Sequence, residues 1–226
     1  MANHLDLEEQ EQLDQLKAFW NQYGNLITWA LIAVLAAFAG WNGYQRWLSS
    51  QSAQASGLYD ELDRVVKERE TDKIGRVFAD MKDKFGGTIY AQQAGLLAAK
   101  ALYESGKVDD AKAALAWVAD KSSDEAYQAV ARLRLASVLV DSKAFDEALT
   151  QLGKSFPAEF AALAADRKGD VFLLQGKKAE AKTEFEKAYK AFDTNTEYRR
   201  LVEVKLNALG VSPQPAAAAV AGDTPK

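Results

Sequence analysis

The sequence contains no cysteine and only one histidine, and these absences narrow the chemistry open to it. Without cysteine there are no disulfides, no thiolate metal sites and no thiol nucleophile. The one histidine, His4, lies near the N-terminus, where a role as ligand or base is not expected. A Gly-rich phosphate loop, a GxSxG elbow and an HExxH motif are also missing. We therefore expect a protein that is not an enzyme and has no cofactor, metal or small-molecule substrate.

The sequence also lacks a block of positive charge. It has 28 basic and 32 acidic residues, a formal net charge of -4. Residues 1–24 hold five acids and one base, Lys17, which leaves 27 acids and 27 bases in the remaining chain. Proteins that bind nucleic acids present basic surfaces to the phosphates. The charge balance therefore predicts no nucleic-acid partner.

A long apolar run is present near the N-terminus. The stretch Leu26–Tyr44, LITWALIAVLAAFAGWNGY, has 19 residues without a charge. As a helix it is roughly 28 Å long, about the thickness of the bilayer hydrocarbon. Trp29 near one end and Trp41 near the other are typical of interfacial anchors. We predict one transmembrane helix over residues 25–47.

Two alternatives to a membrane anchor are a buried core helix and a cleaved signal peptide. A buried core helix is disfavoured, because no other predicted helix of the chain is apolar on all its faces. Ala53-Gln54-Ala55 has the small-x-small pattern of a cleavage site. However, an acidic segment precedes the apolar run, and the run is longer than the h-region of a signal peptide. We expect the anchor to be retained.

Residues 1–24 form the acidic N-terminal segment. Its apolar residues recur at helical spacing, which predicts a short amphipathic helix that ends at Gly24 and lies at the membrane interface. Lys17 and Arg46 flank the two ends of the span, so the local positive charge does not set its orientation. The apolar residues of the short helix are Leu13, Leu16, Phe19, Trp20 and Tyr23.

Two small-xxx-small pairs lie in the second half of the span. They are Ala36 with Gly40, and Ala39 with Gly43. Small residues at this spacing let another membrane helix approach closely. We predict that this face, bordered by Trp29 and Trp41, contacts a partner helix.

The chain from Ser49 to Leu209 consists of successive helical patterns rich in alanine, leucine, lysine and glutamate. No window alternates as a strand does, so we predict an all-α fold with the main domain over 48–210. The sequence after Gly210, VSPQPAAAAVAGDTPK, is too poor in large apolar residues to form a core, and we expect residues 211–226 to be a disordered tail. The predicted helices are 49–69, 72–85, 88–105, 108–121, 124–141, 145–155, 158–175, 178–192 and 195–209.

An internal repeat of 33 to 37 residues runs through three helix pairs. Each copy has a small residue, a large apolar residue at +3, a turn at +7, a small residue at +12 and a large apolar residue at +16. This is the tetratricopeptide pattern, in which small residues let two antiparallel helices meet. The first two predicted helices fit it poorly and are expected to form an atypical cap. The copies are Ala99, Leu102, Gly106, Ala111 and Leu115; Ala136, Leu139, Lys143, Ala148 and Leu152; and Gly169, Phe172, Gly176, Ala181 and Phe185.

Two stretches carry a family resemblance. The N-terminal run EQLDQLKAFWNQYGNLITWALIAVLAAFAGWNGYQRW and the later run ADRKGDVFLLQGKKAEAKTEFEKAY resemble the tetratricopeptide-containing ancillary subunits of the bacterial Sec translocon. The resemblance covers about Glu11 to Leu209. It implies a single-pass inner-membrane protein with a cytoplasmic N-terminus and a periplasmic repeat domain. It also implies two partners, the translocon channel and a membrane-anchored periplasmic chaperone similar to a prolyl isomerase.

The residues and the resemblance together predict a membrane-tethered interaction scaffold near the Sec exit, which engages a chaperone or an emerging polypeptide. The alternative is a tetratricopeptide adaptor that regulates a cytoplasmic signalling protein. An enzyme is a third and weaker reading. The side of the membrane on which the repeat domain lies distinguishes the first two hypotheses.

Overall fold

The structure is a computed structural model that describes the backbone of residues 7–211 and the side chains of residues 11–211. His4 and residues 212–226 of the predicted tail lie outside this range. The described residues form helices and no strand, so the all-α prediction is confirmed. The helices are α1 (Leu7–Lys67), α2 (Thr71–Phe85), α3 (Ile89–Glu104), α4 (Val108–Lys121), α5 (Glu125–Asp141), α6 (Phe145–Leu152), α7 (Ala158–Leu174), α8 (Lys178–Ala191) and α9 (Glu197–Ala208).

The chain divides into two compact units, one ending at Ala53 and the other beginning at Gln54. In the first unit, helix α1 continues through Gly24, where the sequence predicted the end of a short separate helix. A single glycine costs a helix about 1 kcal/mol and ends it only where another conformation is favoured. Here the Trp20 indole covers the glycine, since a Cβ at Gly24 would lie 3.2 Å from its ring atoms. The amphipathic segment is therefore the beginning of α1.

The apolar part of α1 is exposed along its whole length. Every residue from 25 to 47 is exposed in the chain. Within the described residues, only α1 is long and apolar enough to cross a membrane. The alternative of a buried core helix is wrong, because the residues of this segment are exposed rather than buried.

The second unit is a series of helix pairs with equivalent turns. Each turn residue has a positive φ, and the amide of the next residue donates to a carbonyl five residues back, as in a Schellman motif. The φ values are 59° at Arg69, 80° at Gly106, 60° at Lys143, 75° at Gly176 and 78° at Gly210. Within residues 7–211 these bonds join Glu70 to Val65, Lys107 to Leu102, Ala144 to Leu139, Lys177 to Phe172 and Val211 to Leu206, over 2.8–3.1 Å.

The end of α1 and α2 form a further repeat at the start of the array, with atypical residues at its small positions. The turn at Arg69 lies 37 residues before Gly106 and has the same conformation. The positions that hold Ala99 and Ala111 in the next copy hold Leu62 and Ile74 here, and both are buried. A sequence pattern that requires alanine or glycine at the small positions does not detect this repeat, because larger residues occupy them.

Helix α9 begins one more unit. Leu206 lies 34 residues after Phe172 and is buried, and Gly210 corresponds to Gly176. The position equivalent to Gly169 is Glu203, which is partly exposed. A polar residue is tolerated there because no described helix follows α9 to pack against it. A polar residue at this position is typical of the last unit of a repeat array.

Candidate functional site

The predicted small residues lie where paired helices meet. In the last full repeat, a Cβ at Gly169 would lie 2.5 Å from the Phe185 ring, so only glycine lets α7 approach α8 this closely. The predicted large residues are buried beside them, except for Phe172, which is partly buried. The other predicted packing residues, all buried, are Ala99, Leu102, Ala111, Ala136, Leu139, Ala148, Ala181 and Phe185.

One concavity of the repeat unit lies between α3 and α5. It has a volume of about 280 Å³. Its walls are mostly apolar, with Leu96, Leu115 and Val138 among them. Two cationic side chains, Lys100 and Arg134, stand at its edge. A cavity with apolar walls and a polar edge suits the apolar side chains of a peptide or helix.

A second concavity of about 210 Å³ lies between α5 and α7. Ser137 and Asp141 line both cavities, so the two adjoin across α5. We call the two together the repeat groove. Arg167 and Leu174 extend it toward the end of α7. The groove therefore offers alternating apolar and charged surface along three successive first helices of the repeats.

A hydrogen bond joins α3 to α5 in the repeat groove, and α5 also carries a cation there. The Tyr103 hydroxyl donates to the Asp141 carboxylate over 2.6 Å. This hydrogen bond, with burial and the charge of Asp141, raises the pKa of Tyr103. Among residues 11–211, Arg134 has no hydrogen-bond or ion-pair partner. Arg134 is therefore available to an acidic or carbonyl group of a partner.

A buried ionic cluster joins α7 to α9. The Lys205 ammonium lies 2.7 Å from a carboxylate oxygen of Asp166, which is fully buried, and 2.7 Å from one of Asp170. The Tyr198 hydroxyl also donates to Asp166 over 2.8 Å. Burial raises the pKa of Asp170 even though Lys205 opposes the shift. Burial and the Asp166 bond raise the pKa of Tyr198 to about 12.

The predicted anchor contact lies on a fully exposed face of α1. Ala36, Ala39, Gly40 and Gly43 are exposed, and a Cβ added at either glycine would meet nothing within 4 Å. Trp29 and Trp41 are exposed as well. The structure therefore leaves open space on the small face, and contact with a partner helix stays a prediction.

Sequence reasoning missed the polar residues of the groove and of the ionic cluster. The periodicity of small and large residues reports helix packing, and it carries no information on which polar side chains meet across helices. The pair Asp166 and Asp170 has helical i, i+4 spacing, which is the one sequence signal for a shared cation. Its partner, Lys205, lies 39 residues from Asp166 in the chain.

No group of three or more potential metal-binding side chains occurs among the residues that the structure describes. The pKa shifts of the described residues have local causes in ion pairs, hydrogen bonds and burial.

The sequence matches known proteins over almost its whole length. A family model described as a tetratricopeptide repeat-like domain matches residues 17–211. The chain is 31% identical to the ancillary SecYEG translocon subunit of Neisseria gonorrhoeae over 92% of its length and 100% of that protein. It is 31% identical to the Haemophilus influenzae subunit of that name, over 90% of this chain and 98% of the relative. The Escherichia coli subunit is 27% identical over 90% of this chain and 97% of the relative. The chain therefore belongs to the tetratricopeptide repeat-like family of the ancillary SecYEG translocon subunits.

Proposed function

We propose that this protein is a membrane-anchored, non-enzymatic scaffold that associates with the Sec translocon channel. The proposal rests on the combination of an exposed apolar helix and a helical-repeat unit in one chain. The relatives in the same family are named translocon subunits. The exposed apolar helix supports an anchor in the inner membrane. The tether raises the local concentration of the repeat unit beside the channel.

The proposed domains are an N-terminal segment 1–24, a membrane span 25–47, a repeat domain 48–210 and a tail 211–226. The N-terminus is cytoplasmic and the repeat domain is periplasmic. Retention of the anchor is supported by Ala55, part of the small-x-small pattern, which is fully buried in the core of the repeat unit. Cleavage there would remove part of that core.

Protease added to spheroplasts with intact inner membranes tests the orientation. We expect the repeat domain to be digested together with a periplasmic control protein. Protection of the repeat domain while the control is digested would reject the proposed orientation and favour the cytoplasmic signalling adaptor instead.

The small face of the span is proposed to contact the channel or its neighbour. Gly40→Leu would separate the helix backbones, and contacts of this kind are worth about 1–2 kcal/mol. We expect less channel to co-purify with the variant while its membrane insertion is unchanged. Val34→Phe, on another face of the helix, serves as the matched control and should leave recovery unchanged. Equal recovery with both variants would exclude this face as the contact.

The repeat groove is proposed to engage the periplasmic chaperone that resembles a prolyl isomerase, or an emerging polypeptide. Arg134 supports this role because it is exposed and unpaired among residues 11–211. We expect Arg134→Glu to reduce recovery of the chaperone but not of the channel. Arg200→Glu, at an exposed position of α9, is the control. If both variants recover the chaperone as the parent does, the groove is not its binding site.

A further inference from the structure

The repeat groove continues beyond α7 onto α9. Leu201 follows Arg167 by 34 residues and Val204 follows Asp170 by 34, which is the shift that relates α9 to α7. Arg167 and Asp170 line the concavity between α5 and α7. Because equivalent positions of a helical repeat lie on the same face of the array, Leu201 and Val204 extend the groove. They place two apolar side chains where α7 has a charged pair.

Three exposed apolar side chains gather at this end of the groove. Leu174, Leu201 and Val204 are 59%, 46% and 63% exposed. In residues 54–211 only three other large apolar side chains are exposed. Half of the exposed large apolar side chains of the repeat unit therefore lie here. We call Leu174, Leu201 and Val204 the apolar end of the groove.

The α3–α5 concavity forms a cationic end of the same groove. Arg134 has no hydrogen-bond or ion-pair partner among residues 11–211. Lys100 lies 3.8 Å from Glu104, and both side chains are more than half exposed, so this pair is weak. Asp141 accepts the Tyr103 hydroxyl and lies seven residues after Arg134, roughly 10 Å along α5, so it does not neutralise Arg134. The cationic end therefore suits a carboxylate of a partner.

The distance between the two ends sets the spacing of the occupant. Helix α9 is the direct neighbour of α7, since the Lys205 ammonium lies 2.7 Å from a carboxylate oxygen of Asp166. Packed helices lie about 8–10 Å apart, so α9 is roughly 20 Å from α5 across α7. An extended chain covers about 3.3 Å per residue. Acidic and apolar residues about six positions apart would reach both ends.

The combination of the two ends favours one kind of occupant. A site for emerging polypeptides in general has to accept segments of any charge, which requires a broad apolar surface without a charge preference. The repeat groove instead combines three apolar side chains at one end with cations at the other. Charge complementarity of this kind selects a particular partner sequence.

We propose that the repeat groove binds an extended segment of a dedicated protein partner. The segment has acidic residues at Lys100 and Arg134, and apolar residues about six positions away at the apolar end. This inference rests on the proposed role of the groove as a protein-binding site and selects a dedicated partner over emerging polypeptides.

Fluorescence anisotropy of labelled peptides tests the pattern, with the full-length protein in phosphatidylcholine nanodiscs and empty nanodiscs as the correction for lipid binding. The probe peptide has three acids, a spacer of serine and glycine, and three leucines. Matched peptides replace the acids by lysines or serines, replace the leucines by serines, or shorten the spacer to one residue. We expect the probe to bind about tenfold more tightly than the peptides with lysines or without leucines, and several-fold more tightly than the short-spacer peptide.

Variants of the protein assign the two ends. We expect Arg134→Glu to weaken binding of the probe about tenfold and to strengthen binding of the lysine peptide. The Leu201→Ser, Val204→Ser double variant should lose the advantage that the leucines give and bind the leucine-free peptide as the parent does. Lys190→Glu, at an exposed position of α8, is the control and should change nothing. All four positions are exposed, so the melting temperatures should stay close to that of the parent.

Equal affinities for the acidic and lysine peptides would overturn the inference. Equally tight binding of the peptide with serines in place of the acids would also overturn it, because that is the behaviour of a general polypeptide site. Conversion of a dimer to a monomer by the double variant would assign the apolar end to a second copy of this chain.

Recovery of the channel and the chaperone, described under the proposed function, is a separate measurement. If recovery of the chaperone depends on Arg134 but the peptides bind without regard to charge, only the inferred chemistry of the partner is wrong. If the probe binds as expected but the channel is not recovered, the proposed association with the translocon fails and the inference stands.

Discussion

Glycine has opposite effects at two helical positions of the repeat unit. Gly169 faces Phe185, and a Cβ there would lie 2.5 Å from its ring, whereas a Cβ at Gly75, an exposed position of α2, would meet nothing within 4 Å. In the first case glycine is required by packing. In the second it only adds conformational entropy to the unfolded chain.

We expect Gly169→Ala to destabilise the repeat unit by about 1–3 kcal/mol, because overpacking moves Phe185 or separates α7 from α8. Gly75→Ala should instead stabilise it by about 0.5–1 kcal/mol. Thermal and urea unfolding followed by circular dichroism measures both. A Gly169→Ala variant that is as stable as the parent would contradict the close approach of α7 to α8.

Lys143 occupies a turn position where three of the other four equivalent turns have glycine. Its φ of 60° lies in the left-handed region, which is unfavourable for a residue with a Cβ. We expect Lys143→Gly to stabilise the unit by about 0.5–1 kcal/mol, since relief of strain outweighs the added unfolded-state entropy. Lys187→Gly, inside α8, is the control and should destabilise by about 1 kcal/mol. A lower melting temperature for Lys143→Gly would contradict this reading of the turn.

At the scale of elements, the ionic cluster determines how α9 is held. Lys205→Met leaves the Asp166 carboxylate buried without its cation, and breaking a buried pair in this way costs about 3–5 kcal/mol. Lys182→Met removes an exposed pair with Glu186 and should cost at most about 1 kcal/mol. Urea unfolding of both variants checks the difference. Equal small losses would mean that α9 is held by its apolar face alone.

Alkaline pH tests the Tyr198 bond in the same cluster. The pKa of Tyr198 is raised to about 12, above its ordinary value of about 10, so folding favours the protonated phenol. Its contribution to stability is complete below about pH 10 and is lost as the pH rises toward about 12. We expect the stability advantage of the parent over Tyr198→Phe to shrink across this window. An advantage that stays constant with pH would show that the hydroxyl bond makes no contribution.

The element scale also shows where sequence reasoning succeeds and fails. Helices α3 to α8 follow from periodicity and turn residues, because local spacing and glycine conformation determine them. The repeat formed by α1 and α2 was missed, since Leu62 and Ile74 replace the small residues that mark the pattern. The predicted end of a helix at Gly24 was wrong because glycine permits a break without requiring one, and Trp20 packs over it.

For the whole molecule, the first repeat helix is the end of the anchor helix. Ala55, Leu62 and Val65 of α1 are fully buried against the repeat unit. A soluble fragment of residues 49–211 should therefore unfold cooperatively, whereas residues 71–211 should melt at lower temperature and bind a hydrophobic dye through exposed Ile74 and Phe78. In a repeat array each unit is stabilised by its neighbours. Equal melting of the two fragments would mean that α1 contributes nothing to the repeat unit.

The sequence by itself determined the all-α class, the apolar span and the repeat register of three helix pairs. These are properties of local spacing, since helix periodicity and turn conformation depend on residues a few positions apart. The tertiary structure alone decided which polar groups meet, as with Lys205 and Asp166, and which face of the repeats carries the groove. These contacts join residues more than thirty positions apart, and only the packing angles of the helices bring them together.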